Sequence, residues 1–132
     1  MLKTDDHELF EVLRGYQDIV VNACHGGFAL SYEAQIEYLE RSGTPYELQD
    51  RESRDSTTRY GRQILVNGYP WNELSIPRDD PTLVAVVKEF GEDANTRLSN
   101  LKVVRIPAGV KWIIEEYDGY EWVAEKHRIW KP

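Results

Sequence analysis

Apolar positions along this chain fall into short runs of two periods, and the elements follow from them. Residues 18–21 carry Ile19, Val20 and Val21 in succession between polar ends. A β-branched run of that kind predicts a central strand covered on both faces. After the turn 22–30, Tyr32, Ile36 and Leu39 stand at i, i+4 and i+7 with Ala34 and Tyr38 beside them, which predicts a helix burying that stripe. Ser31 is placed to accept from the free N–H groups of its first turn, Glu33 suits its positive end, and Gly43 stops it. A second stripe, Leu83, Val87 and Phe90, is widened by Val84 and Val86. Asp80 as cap and Pro81 at the first helical position open this helix, and Gly91 ends it. Leu9, Val12 and Leu13, with Phe10 adjacent, predict a short helix over 5–14, and residues 92–98 predict another with Ala94 and Leu98 inward.

Three runs read as strands: 62–67, 102–106 and 110–117. Asp118-Gly119 follows the last of them, and Asp-Gly between runs of Trp, Ile, Tyr and Val is a strong hairpin signal. That turn pairs Tyr117 with Tyr120, Glu115 with Trp122 and Ile113 with Ala124. It sends Glu121, Glu125 and His127 to one face and Trp122 and Ala124 to the other. The Trp122 face carries more apolar bulk and is expected to enter the core, leaving the Glu/His face to border a cleft. The same register sets Glu116 opposite Glu121, where like charges repel; a lysine, an arginine or a bound ion must lie between them, or the register must differ.

Together these elements predict an α+β fold: a mixed sheet of four or five strands, two main packed helices and a C-terminal β-hairpin. The 132 residues suit one domain, 1–132. The stretch 44–58 is polar, holds almost nothing to bury, and reads as a mobile surface loop.

Composition narrows the function classes. No apolar run reaches the roughly 20 residues of a membrane span. The acidic start lacks the apolar core of a secretory signal, and the single cysteine excludes an internal disulfide; a reducing cytoplasm is expected. The net charge of −7, with 16 Lys and Arg scattered along the chain, argues against nucleic acid as a partner. The sequence names no cofactor.

Candidate chemistry gathers at the turn after the first strand. Asn22, Cys24, His25, Gly26, Gly27 and Phe28 occupy a position where open α/β sheets bind ligands, and N–H groups at a helix start favour anions. No nucleotide fingerprint is present, so two glycines that merely permit a tight turn remain an equal reading. Arg78 and Arg128 suit a phosphate or carboxylate through bidentate forks, with Asp79 beside them. Surface salt bridges suit Arg105 better. Cys24 is a candidate nucleophile with His127, rather than its chain neighbour His25, as base. Glu125 and His127 are candidates for acid-base work or a weak divalent-metal site.

Three blocks, Cys-His-Gly-Gly-Phe-Ala-Leu-Ser at 24–31, Arg-Asp-Asp-Pro-Thr-Leu-Val at 78–84 and Glu-Tyr-Asp-Gly-Tyr-Glu-Trp-Val-Ala-Glu-Lys-His-Arg-Ile-Trp at 116–130, resemble a family of small proteins encoded by bacteriophages and other large DNA viruses. The resemblance implies a phage origin, the cytoplasm of a bacterial host, and a role in infection such as blunting host defences. It assigns no activity to any residue. The leading reading is therefore a non-enzymatic phage accessory protein that binds a small anionic ligand, with nucleotide-derived signals in view, near 24–28. A small enzyme using Cys24 or the His/Glu site is the alternative, and an acidic inhibitor of a host protein is the third. A homo-oligomer is compatible with each.

Overall fold

The apolar run near the start forms β1 (Tyr16–Asn22), and its last four residues are buried. In this computed structural model the described residues are 15–50, 63–127 and 130–131; the helix expected over 5–14 lies outside them. β1 pairs antiparallel with β5 (Leu101–Pro107), from Tyr16 opposite Pro107 to Asn22 opposite Leu101.

Two helices close the core over this pair. α1 (Tyr32–Arg41) starts on Ser31, whose hydroxyl accepts from the Ala34 N–H at 3.2 Å. α2 (Pro81–Phe90) starts on Asp80, whose Oδ1 accepts from the N–H groups of Thr82 and Leu83 at 2.8 and 3.1 Å. The other carboxylate oxygen accepts from the Tyr38 hydroxyl at 3.0 Å, so one aspartate caps α2 and ties it to α1. Burial, and then that bond, push the Tyr38 hydroxyl up to about 12. Val20, Leu30, Ala34, Ile76, Leu83, Val86 and Val87 meet in the core between the helices and β1. α1 turns its Ala34–Leu39 side inward, while Tyr32 and Ile36 are only half-buried. Tyr38 stacks on Trp71 instead, at 6.0 Å between ring centres.

The class is α+β, with two helices and a C-terminal hairpin, and the strands divide among three small antiparallel sheets instead of joining one mixed sheet. β2 (Glu47–Gln49), β3 (Gln63–Val66) and β4 (Tyr69–Pro70) form one of these. β2 falls within 44–58, so the stretch expected to be loop contributes an edge strand, and residues 51–62 lie outside the described set. The expected helix over 92–98 is a 3-10 turn, Gly91–Ala94; it buries Ala94 but leaves Leu98 two-thirds exposed.

The hairpin of β6 (Trp112–Tyr117) and β7 (Tyr120–Glu125) has the expected register, including Glu116 opposite Glu121. Asp118 and Gly119 have φ of 49° and 87°, as a two-residue turn of this hand requires. The expected facing is reversed. The Glu121 side turns toward β1, and the Trp122 side, with Ile113, Tyr117 and Tyr120, faces solvent. On the inner side Glu121 meets Arg78 beneath the hairpin, and Trp112, Ile114 and Val123, which share its face, are half-buried there.

A closed turn and an open hairpin tip

Arg78 is the side chain around which the candidate site is assembled. Its guanidinium donates to both oxygens of Glu121, at 2.6 and 2.9 Å, with both side chains more than four-fifths buried. Its central carbon lies 3.6 Å above the middle of the Phe28 ring, a cation over the negative face of the aromatic. It also donates to the Val20 carbonyl at 3.2 Å, while its own carbonyl accepts from the Val20 N–H at 2.8 Å. One residue thus covers the edge of β1 that β5 leaves open, with backbone and side chain together.

Glu121 completes that edge by accepting from the Asn22 N–H at 2.8 Å. Asn22, fully buried, then uses its side chain three ways. The amide NH₂ donates to the carbonyls of Cys24 and Gly119 at 2.7 and 2.9 Å, and the amide oxygen accepts from the Asn100 N–H at 2.8 Å. No buried side-chain polar atom is left without a partner among the described residues. The Glu116–Glu121 repulsion is resolved by this arrangement. Arg78 neutralises Glu121, and Glu116 turns away to accept from the Gly119 N–H at 3.0 Å.

The turn at 24–27 is clamped from two sides. A Cβ on Gly26 would lie 1.9 Å from the Leu98 carbonyl oxygen, and one on Gly119 would lie 2.7 Å from the His25 carbonyl oxygen. Both glycines are therefore required by close approach of backbone, the first to the loop before β5 and the second to the turn itself.

The structure thus brings together Asn22, Phe28 and Arg78 from the expected ligand-binding set, with Cys24 through its carbonyl, but as a filled internal network. Glu121 occupies the place an anionic ligand would take. His25 is exposed and packs its ring against Tyr120 and Tyr117, with centroids at 5.5 and 6.5 Å. Asp79 is exposed on the surface beside Arg78, and Arg128 lies outside the described residues. Cys24, half-buried and free, does not meet His127. Cys24 sits by the Gly119 turn, whereas His127 follows the far end of β7, roughly 20 Å away along six residues of strand. Glu125 and His127 instead border a shallow groove with Pro107, Lys111 and Lys126, where two lysines oppose a divalent cation. Among the described residues no three His, Cys, Asp or Glu side chains group as metal ligands.

The larger concavity, about 820 Å³, lies past the turn, between the start of α1, β3 and the 95–98 loop, and includes Tyr32, Trp71 and Arg97. Sequence reasoning did not single it out, because its walls come from three segments with no local motif. It also gave Glu121 no place in the site, although the Glu116 opposition is a signal that this position needs a cation.

No protein-family model, curated protein or solved structure matches the chain. Fold and geometry define the class at this point: an α+β protein with a hairpin fastened to its core by a buried ion pair. No helix of those residues is long and apolar enough to cross a membrane.

Proposed function

We propose that this is a non-enzymatic phage accessory protein that acts by surface contact with a host protein, through the outer face of the β6–β7 hairpin. The observation that carries the reading is the exposure of that face: Tyr117 is 73% exposed, Tyr120 and Trp122 41%, and Ile113 36%, all on one side of the same two strands. Aromatic residues gathered on a solvent-facing side cost solubility, and such patches are a common mark of protein interfaces. Beside the turn at 24–28, in contrast, Arg78 and Asn22 spend their side-chain donors within the chain, on Glu121 and on the carbonyls of Val20, Cys24 and Gly119. The phage setting rests on the resemblance of the three sequence blocks.

The test is an infection assay. A host expressing the protein should support plating of a phage that its defences otherwise restrict, and Tyr117→Ala with Trp122→Ala should abolish the effect while circular dichroism and melting stay near wild type. Unchanged plating by the double variant sinks the contact reading.

A second reading is a small anionic ligand in the larger groove, favoured by Arg97 beside Tyr32 and Trp71. Ligand binding raises the melting temperature by mass action, so a nucleotide panel that shifts wild type but not Arg97→Ala supports it.

A further inference from the structure

The outer face of the hairpin is not electrically neutral, and its charge selects among partners. Toward the turn, Glu115 shares this face with Tyr117, Tyr120 and Trp122, and Asp118 lies in the turn itself, with the His25 ring against both tyrosines. Glu115 accepts from the Trp122 indole N–H at 3.1 Å, so its carboxylate is held at the rim of the aromatic group by an uncharged donor. Among the described residues no lysine or arginine forms an ion pair with Glu115 or Asp118. The hairpin's two lysines, Lys111 and Lys126, stand at its other end, near the groove with His127. The one acid of the hairpin that does meet a cation, Glu121, is on the inner face. The tip is thus a set of exposed aromatic rings flanked by two acids, Glu115 and Asp118, that no described lysine or arginine pairs.

From this, and resting on the surface-contact reading above, we infer that the hairpin tip docks a basic segment of its partner protein, with arginine or lysine side chains lying over Tyr117, Tyr120 and Trp122 and paired with Glu115 and Asp118. A cation over an aromatic face is attracted by the ring quadrupole, and flanking carboxylates add charge pairing and speed encounter. The same field disfavours an anionic occupant at this face. The outer residues point away from β1, so occupancy needs no rearrangement of the core.

The full chain, labelled with ¹⁵N, is titrated with three peptides of equal length: alternating Arg-Gly, alternating Glu-Gly, and alternating Leu-Ser. The Arg-Gly peptide should perturb amides of residues 25 and 113–122 selectively. Tyr117→Ala should weaken its binding about tenfold, the size expected for a desolvated cation–π contact. Glu115→Gln with Asp118→Asn should do the same, while keeping an acceptor for the Trp122 indole and a turn residue tolerant of positive φ. Glu92→Gln with Asp93→Gln, equal in charge removed but on the 3-10 turn, should leave binding unchanged. Perturbations spread over the whole acidic surface, or equal weakening by the 92/93 pair, overturn the proposal as bulk attraction. If Leu-Ser peptide binds the same amides as tightly, the basic class falls while the surface-contact reading stands. If no peptide perturbs the tip and the Tyr117/Trp122 variant also plates as wild type, both fall.

Discussion

The β1–β5 pair with its two helices and the β6–β7 hairpin are built on different principles. In the first, apolar side chains from four elements interlock, and Ile19, Val20, Leu39, Leu83 and Val86 are wholly removed from water. In the hairpin no residue is fully buried. It is held instead by directed bonds: Arg78 to Glu121, Glu121 to Asn22, and Asn22 to Gly119 at the tip, with Gln17 accepting from the Trp112 indole and donating to the Val110 carbonyl at the base. Removing one member of a buried charge pair strands the other, and each such bond here holds the hairpin at a single point. The hairpin is therefore the part of the molecule whose attachment depends on single residues.

That contrast can be broken in the core first. Leu83→Ala should lower global stability by about 2–5 kcal/mol through lost transfer energy and a cavity, read as a lower midpoint in denaturant with every probe moving together. Glu121→Gln should cost less, about 1–3 kcal/mol, because charge-assisted bonds to Arg78 and the Asn22 N–H weaken. Its signature is local: hydrogen exchange should quicken at 113–124 while residues 102–106 keep their protection. If both regions lose protection equally, the hairpin is not a separate unit and the comparison fails.

A smaller effect lies on the outer edge of β1. Asp18 accepts from Arg105 at 2.9 and 3.2 Å and from Lys88 at 2.9 Å, which together hold its carboxyl at about 2 against an ordinary 3.8. Because the folded value is depressed, the unfolded chain takes up the proton first as pH falls. The stabilisation is complete above about pH 4 and disappears as pH falls toward 2. Both cations are half-exposed, so Asp18→Asn should remove on the order of 1 kcal/mol at neutral pH and flatten the acid limb of the stability curve. An unaltered acid limb would show that Asp18 contributes nothing. Smallest of all is Trp122→Ala. Placed in the core by sequence pattern it would be severe, but on an open face it should cost about 1 kcal/mol or less.

What the sequence made legible was set within a few residues. Ser31, the Asp80-Pro81 pair and Asp118-Gly119 each act on neighbours no more than four positions away, and each occurs as expected. Asn67-Gly68 has φ of 54° and 81° in the turn to β4, but the second strand is only the two residues Tyr69–Pro70, too short to repeat a pattern. The hairpin's facing was not legible, because apolar bulk on one strand says nothing of Arg78, 43 positions away. Nor was the fate of the glycine turn. Of the residues expected there, Asn22, Phe28, Arg78 and the Cys24 carbonyl meet, and only the fold reveals that Glu121 of the same chain pairs with Arg78.

Arg78 and Glu121 also bear on how the molecule is made. The hairpin's own pairs are local, whereas the Asn22–Arg78–Glu121 junction joins three stretches remote in the chain, and loop closure predicts that the hairpin's pairs form before it. An interaction made after the rate-limiting step retards escape from the native state without hastening folding. The expected signature of a clasp fastened late is a Glu121→Gln variant that unfolds faster and folds at an unchanged rate.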